Sequence, residues 1–283
     1  MSTLEISMPT SLGEIISIKQ QLDTVKNQYD QIRVSFATWV WDEALHTEAP
    51  DWDYKKQLLN KFLLDIGRLF FGNAPYFMEP DNQPFPYSNM ENLPNVLHIE
   101  PPKLKLDHLL CKGNSLNIKQ YIVLTTKVRQ LTKSNFDLIA PQLWIALNQL
   151  SEKYKIVVLG EKKVEMRKEY QVDRMSNQIY SIYDDIISNV SKDSLVDLTV
   201  PALCETVSDI SQIQQDCLIM KEGKCVITFG IGGNFCMATS VANKIIGYRD
   251  DDFFYFDKIY DREYEDAIVT KDAEHFFNGL MKI

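Results

Sequence analysis

Apolar and polar residues follow two rhythms in the N-terminal part of this chain. Apolar residues at strand spacing predict strands at residues 4–7 and 31–37, and apolar residues at helical spacing predict helices at residues 11–29 and 53–71. Strands and helices that alternate in this way bury the apolar stripe of each helix against a sheet. The pattern therefore predicts a compact α/β unit.

The same alternation is clearer in the rest of the chain. Strands are predicted at residues 121–125, 155–159, 195–199, 225–229 and 244–248. Three helices are predicted through residues 179–190, around residues 210–220 and after the strand at 225–229. A further helix is predicted from one apolar face, which is formed by Phe136, Ile139, Leu143, Trp144, Leu147 and Leu150. This order predicts a parallel sheet with helices on both faces. Because ligands bind at the carboxyl ends of such strands, we expect the segments after Thr125, Leu159 and Phe229 to converge.

A proline-rich segment separates the N-terminal part of the chain from the rest. Seven of the eleven prolines fall between Pro75 and Pro102, a segment that cannot hold a long helix or an interior strand. We therefore predict an N-terminal domain over residues 1–115, which includes this proline-rich linker, and a C-terminal domain over residues 116–283. A chain of 283 residues is long enough for two such domains.

The most informative segment runs from Cys225 to Ala242, where an apolar strand leads into a glycine-rich turn and then a helix of small residues. Gly230, Gly232 and Gly233 permit a tight bend and a close approach of the backbone to a ligand. The first turn of the helix offers unpaired N–H groups and a positive dipole end, which together favour a phosphate or diphosphate. The alternative is a turn whose glycines serve packing alone.

The composition of the chain argues against two classes of function, nucleic-acid binding and membrane spanning. Hydrophobic residues make up 45% of the chain and charged residues 24%, as is typical of a soluble globular protein. The formal charge is −9 and no basic stripe is interleaved with aromatic residues, so we expect no nucleic-acid partner. The N-terminus has no basic segment before an apolar one, and no apolar run approaches the ~18 residues that span a bilayer. We therefore expect a cytoplasmic protein.

Cysteines and histidines show no metal-binding pattern. The five cysteines are widely spaced without a C-x-x-C pair, which predicts buried free thiols in a reducing compartment. The histidines at positions 46, 98, 108 and 275 lack ligand spacing, so no metal site is assigned. Asp250 to Asp252 could act as a D-x-D motif that shares a divalent ion with a diphosphate. Their place among further acidic residues favours a solvated acidic surface instead.

Three segments, in order, resemble the bacterial heptosyltransferase-like glycosyltransferases. Residues 11–16, Ser-Leu-Gly-Glu-Ile-Ile, are similar to the family's N-terminal S-x-G-D-[VI] turn. The strand and loop at 121–129, followed by residues 157–161, match the next element, and residues 226–242 resemble the family's strand, D-[ST]-G turn and A-x-A helix. The resemblance implies an α/β fold of the GT-B type, with two Rossmann-like domains facing across a cleft. Gly230 stands where the family usually has Asp, and Phe235 where it often has His.

The resemblance also implies a reaction class. Such an enzyme moves a sugar from a nucleotide-sugar donor to a hydroxyl of a glycan or glycolipid acceptor, without a metal ion and with inversion. The donor is a co-substrate, so no cofactor is expected, and a glycolipid acceptor would bring peripheral contact with a membrane. A non-catalytic GT-B-like protein that binds a nucleotide or a glycan is the alternative. The donor sugar and the oligomeric state are left open.

Glu14 is the candidate catalytic base, because it matches the acidic residue that deprotonates the acceptor in the family's N-terminal turn. The alternative is structural. Ser11 and Glu14 also have the spacing of a capping box, in which the carboxylate bonds to the N–H group of the helix N-cap.

The donor-binding candidates follow the predicted strands of the C-terminal domain. Lys127 and Arg129, with Lys133 as a third choice, could neutralise the departing diphosphate, and Thr125 and Thr126 could donate hydroxyl hydrogen bonds. The alternative is that these cations are solvated loop residues.

Gly160, Glu161 and Glu165 follow the second strand of that domain, where a carboxylate can accept hydrogen bonds from ribose hydroxyls. Acidic residues at a solvated helix start are the alternative. Gly230, Gly232, Gly233 and Asn234 would wrap the diphosphate. The aromatic residues Phe36, Trp39, Trp41 and Trp52 could stack on an acceptor sugar, although core packing is the favoured role.

Overall fold

A computed structural model describes the protein over residues 2–8, 12–36, 63–72, 75–79, 116, 118–129, 131–164, 179–201, 210–230, 232–249 and 267–283. Internal contacts divide the chain into two units. The first comprises residues 1–111 and 207–214, and the second comprises residues 112–206 and 215–283. Each unit contains its own parallel sheet.

The first unit has three parallel strands in the part of the chain that the structure describes. β1 (Thr3–Met8), β2 (Gln31–Phe36) and β3 (Tyr76–Met78) lie side by side in that order. Helix α1 (Leu12–Val25) and a 3₁₀ turn connect β1 to β2, and helix α2 (residues 63–71) precedes β3. Both predicted strands are confirmed, and so are the two predicted helices where they fall within the described residues.

A buried ion pair within α1 is linked to β3 by a hydrogen bond from Tyr76. The Lys19 ammonium contacts Oδ2 of Asp23, and the Tyr76 hydroxyl donates to Oδ1 of Asp23 at 2.8 Å. Lys26 Nζ lies 3.3 Å from the same Oδ1. Burial lowers the pKa of Lys19 against the opposing charge of Asp23, and burial raises the pKa of Tyr76. Both carboxylate oxygens in this Asp23 cluster (Lys19, Asp23, Lys26 and Tyr76) therefore have partners within the chain.

The second unit alternates strands with helices. Its described strands and α-helices are, in chain order, β4 (Tyr121–Thr125), β5 (Lys127–Arg129), α3 (Lys133–Ser151), β6 (Lys155–Leu159), β7 (Ile179–Ser181), α4 (Tyr183–Asn189), β8 (Leu195–Asp197), α5 (Ile210–Glu222, of which residues 215–222 belong to this unit), β9 (Val226–Phe229), α6 (Gly233–Val241), β10 (Ile245–Tyr248), β11 (Ala267–Thr270) and α7 (Ala273–Leu280). Six of the described strands form a parallel sheet in the order β11-β10-β9-β4-β6-β8. The predicted α/β class and parallel sheet are confirmed.

One face of this sheet packs on α3 and α7. The strands contribute fully buried residues such as Ile122, Val158 and Ile227, and α3 contributes Phe136, Leu143 and Leu147. Phe136 meets Phe229 edge to face, with ring centroids 5.2 Å apart. Five of the six residues predicted for the apolar face of this helix are buried, and Trp144 packs partly buried against the same core.

Two regions of the second unit differ from the sequence prediction. The helix predicted through residues 179–190 is wrong at its start, because Ile179–Ser181 is a strand antiparallel to β5 and the helix begins at Tyr183. Lys127 and Arg129 lie on β5 rather than in a loop. Strand β11 and helix α7 were not predicted. None of the described helices is long and apolar enough to cross a membrane.

Candidate functional site

The carboxyl ends of three neighbouring strands meet in the second unit. β4 lies between β9 and β6, so the segments that follow these strands share one edge of the sheet. The Thr126 N–H donates to the Leu159 carbonyl at 2.9 Å, and Arg129 and Gly230 form a parallel bridge. The structure thus brings together the three segments in which donor-binding residues were predicted.

A buried carboxylate lies at this edge. Glu161 is 4% exposed, and its Oε1 accepts a hydrogen bond from Lys127 Nζ at 2.9 Å. Its other oxygen, Oε2, is buried and has no hydrogen-bond partner in the described part of the chain. A buried carboxylate oxygen without a donor is unfavourable, so such groups are expected to have a partner that the protein chain does not supply.

Two hydroxyl groups fix the backbone of Glu161. The Thr126 hydroxyl donates to the Glu161 carbonyl at 2.8 Å, and the Ser181 hydroxyl donates to the same oxygen at 2.7 Å. Gly160 precedes Glu161 with φ of +110°, and a Cβ there would lie 2.6 Å from the Thr126 hydroxyl. A side chain at residue 160 would therefore disturb the contact that holds Glu161.

The glycine-rich turn after β9 packs on Arg129. Gly230 has φ of +68°, and a Cβ at this position would overlap the carbonyl oxygen of Arg129. A Cβ on Gly232 would lie 3.1 Å from Cβ of Arg129. These two glycines therefore let the turn approach β5 closely, which is the packing role considered above. Their effect is to position the Arg129 side chain against the turn.

Helix α6 begins next to this arginine without a side-chain cap. Gly232 is the N-cap residue, and the first turn of the helix contains no acidic residue. Nε of Arg129 and Nδ2 of Asn234 are buried donors without a hydrogen-bond partner among the described residues. Uncapped N–H groups and a positive dipole end favour an anion at this position. Lys127, Arg129, Glu161 and Asn234 are called the Glu161 cluster below.

An ion pair flanks this cluster. Lys162 Nζ lies 3.3 Å from Oδ2 of Asp197, which also accepts a hydrogen bond from the Tyr183 hydroxyl at 2.7 Å. Partial burial works to raise the pKa of Asp197, but hydrogen bonds from Thr199 and Tyr183 outweigh it and lower the pKa to about 2. Lys162 is therefore engaged by a carboxylate other than Glu161.

Other predicted site residues lie elsewhere or outside the described residues. Thr125 is fully buried in β4, where its hydroxyl faces the Ile227 carbonyl at 3.4 Å. Lys133 binds Asp137 on the surface of α3. Glu14 belongs to α1, but its side chain is outside the described part of the structure, as are Glu165, Asp250 to Asp252 and the three tryptophans named above. Phe36 is 3% exposed and packs in the core of the first unit.

Sequence reasoning missed Ser181, which touches the backbone of Glu161. No motif marks this serine, because the contact depends on the pairing of β5 with β7. It also missed that Lys127 and Glu161 bind each other. Among the described residues, no group of three His, Cys, Asp or Glu side chains could hold a metal ion.

Comparison with protein families and with curated protein sequences finds no match. Among solved structures, the chain is similar to TibC, a bacterial iron-containing dodecameric glycosyltransferase from enterotoxigenic Escherichia coli, at 10% identity and a TM-score of 0.46. That alignment covers 87% of this chain and only 57% of TibC. A family 9 glycosyl transferase from Veillonella parvula aligns over 100% of this chain and 93% of its own length, also at 10% identity and a TM-score of 0.46. These values are too low to transfer a property of either protein to this chain.

Proposed function

We propose that this chain is a glycosyltransferase of the GT-B type that binds a nucleotide-sugar at the Glu161 cluster and transfers the sugar to a hydroxyl of a glycan or glycolipid. The observation that carries the proposal is the set of buried polar atoms without partners: Oε2 of Glu161, Nε of Arg129 and Nδ2 of Asn234. One acceptor and two donors suit a ligand that has both hydroxyl and phosphate groups.

The diphosphate of the donor would lie at the start of α6. Its oxygens would accept hydrogen bonds from Nε of Arg129, from Asn234 and from the first N–H groups of the helix. The same contacts would stabilise the negative charge that develops on the diphosphate as the sugar leaves. No metal ion is required by this arrangement, because a guanidinium and a helix N-terminus supply the positive charge.

The ribose or the sugar would face Glu161. Its Oε2 would accept a hydrogen bond from a ligand hydroxyl while its Oε1 stays paired with Lys127. The Lys127 side chain is 36% exposed, so its ammonium can also contact a phosphate without leaving Glu161.

The chemical step follows from the family resemblance. Glu14 would take the proton of the acceptor hydroxyl as its oxygen attacks the anomeric carbon, and the bond from that carbon to the diphosphate oxygen would break. Attack from the side opposite the leaving group inverts the anomeric centre. A general base contributes about 10²-fold to 10⁴-fold to a rate, so Glu14→Gln should lower kcat by about 10²-fold or more. Full activity of Glu14→Gln would show that Glu14 is not the general base.

A non-catalytic protein that binds a nucleotide or glycan is the second candidate. The burial of Phe235 favours it, because a residue 2% exposed in α6 cannot contact a substrate in place of the histidine that the resembled family often has. In this case the Glu161 cluster would hold a nucleotide without turnover.

The test is a thermal-shift panel of nucleoside diphosphates on the full chain, followed by hydrolysis and transfer assays with the corresponding nucleotide-sugars. A ligand that binds only the folded state raises the melting temperature. Binding of a nucleoside diphosphate, together with turnover of its nucleotide-sugar in the presence of a metal chelator, supports the transferase. Binding without turnover of any nucleotide-sugar supports the second candidate. Both candidate functions would be contradicted if no nucleoside diphosphate raised the melting temperature and if Arg129→Gln left the free energy of unfolding unchanged.

A further inference from the structure

A cavity of about 400 Å³ lies at the opposite edge of the sheet in the second unit. Its lining comes from residues that immediately precede β4, β6 and β9, the three strands whose other ends meet at the Glu161 cluster. Lys119 precedes β4, Lys153 precedes β6 and Lys224 precedes β9. The cavity therefore shares no residue with the site described above.

Three of the eight residues that line this cavity are lysines. Lys119, Lys153 and Lys224 face a single acidic side chain, that of Glu222, in a protein whose formal charge is −9. None of these three lysines forms an ion pair with a residue that the structure describes. Three ammonium groups around one small cavity create a positive potential that attracts anions.

Aromatic residues form the buried part of the lining. Tyr121 and Tyr154 are 4% and 5% exposed, and their hydroxyls are already bonded to the backbone carbonyls of Ile219 and Ile283 at 3.0 and 3.1 Å. Burial, with the charge of Glu222, raises the pKa of Tyr121 to about 12, so its hydroxyl stays neutral. Lys153 Nζ lies 4.8 Å from the centre of the Tyr154 ring. With both tyrosine hydroxyls engaged, the lysines are the charged donors in the lining that can meet a ligand.

We propose that this cavity is a second anion site, which binds a small phosphorylated molecule. Ammonium groups form strong charge-assisted hydrogen bonds with phosphate oxygens, and a molecule with several negative charges can engage more than one lysine. The cavity volume lies in the range of small-molecule sites and is too small for a folded partner. The backbone holds this lining in place, since the Lys224 N–H donates to the Tyr121 carbonyl at 2.9 Å.

A lysine-specific measurement tests the proposal with inorganic pyrophosphate as the probe. The full chain is treated with an amine-acetylating reagent, with and without pyrophosphate, and each lysine is quantified by peptide mass spectrometry. Acetylation of Lys119, Lys153 and Lys224 should fall several-fold, while the exposed Lys192 and Lys271 serve as internal controls. Equal labelling of the three cavity lysines with and without pyrophosphate would overturn the proposal.

Binding variants separate this cavity from the Glu161 cluster. In an Arg129→Gln background, calorimetric titration should still show pyrophosphate binding. Adding Lys153→Gln and Lys224→Gln should weaken it by about tenfold or more, because two charge-assisted hydrogen bonds are lost. Adding Lys192→Gln and Lys271→Gln removes the same charge outside the cavity and should change affinity less than about twofold. Equal losses in both double variants, or no binding once Arg129 is replaced, would contradict the cavity site.

Discussion

Each unit of the protein contains a buried carboxylate paired with a lysine, but the two pairs are completed differently. In the Asp23 cluster of the first unit, Lys19 contacts one carboxylate oxygen and Tyr76 and Lys26 contact the other. In the Glu161 cluster of the second unit, Lys127 binds one oxygen and the other is buried without a partner among the described residues. A complete cluster fixes a fold, whereas an incomplete cluster has room for a ligand to complete it.

The largest expected effect is on the complete cluster. Asp23→Asn removes the charge that compensates the buried Lys19 and should lower the free energy of unfolding by about 3 kcal/mol or more. The measurement is urea unfolding of the full chain, with Tyr76→Phe as a control that removes one hydrogen bond and should lower it by about 1 kcal/mol. Equal stability of Asp23→Asn and the parent chain would show that Asp23 neither compensates the charge of Lys19 nor holds α1 to β3 through Tyr76.

Two glycines allow a matched comparison between the units. Gly230→Ala should lower the free energy of unfolding by about 2 kcal/mol or more, because a left-handed φ is strained for alanine and the new Cβ meets a backbone carbonyl. Gly67→Ala in α2 places its Cβ against the flexible Met78 side chain and 3.2 Å from the Phe36 ring, but it gains helix propensity at an ordinary φ, so its effect should stay within about 1 kcal/mol.

Thermal unfolding of both alanine variants, followed by nucleoside diphosphate titration, tests this comparison. Only Gly230→Ala should also weaken ligand binding, because it displaces the turn that positions Arg129. If both variants lost stability equally, the close approach of Gly230 to Arg129 would not be a constraint.

A smaller effect on stability is expected at the incomplete cluster. Glu161→Gln should change the free energy of unfolding by less than about 1 kcal/mol, because Lys127 is partly exposed and can turn to water. It should weaken the binding of a nucleoside diphosphate by about tenfold or more, since a charged acceptor is lost. Calorimetric titration and urea unfolding measure the two quantities. A large loss of stability with unchanged affinity would assign Glu161 to the fold.

The smallest effect concerns the exposed ion pair beside the site. The pKa of Asp197 is lowered to about 2 in the folded protein, below the value of about 3.9 in an unfolded chain. The ionised carboxylate therefore contributes stability above about pH 4, and this contribution disappears as the pH falls through about 2. The stability difference between Asp197→Asn and the parent chain should shrink over that interval. A difference that does not change between those pH values would contradict the lowered pKa.

The sequence predicts most of the large elements, because they carry strong apolar patterns. The continuous apolar runs at residues 121–125 and 155–159 became β4 and β6 with the predicted boundaries. The short strands β5 and β7 were not predicted, because three residues carry no usable period and their pairing joins segments far apart in the chain. Strand β11 follows a polar acidic segment that gives no strand signal.

The candidate site could be predicted in position but not in its contacts. The alternation of strands and helices and the rule for parallel sheets predicted that the segments after Thr125, Leu159 and Phe229 would converge. Sequence could not show that Lys127 binds Glu161, because that contact depends on the adjacency of β4 and β6 and on the conformation of two long side chains. It also could not show that Gly230 contacts the backbone of Arg129.

The central claim is that a diphosphate completes the Glu161 cluster at the start of α6. Hydrogen exchange of the full chain, measured by mass spectrometry on the peptide covering residues 230–237, tests it most directly. A saturating nucleoside diphosphate should slow exchange of the first amides of α6, and Arg129→Gln should abolish that protection. Unchanged exchange in this peptide with every nucleoside diphosphate in the panel would contradict the claim.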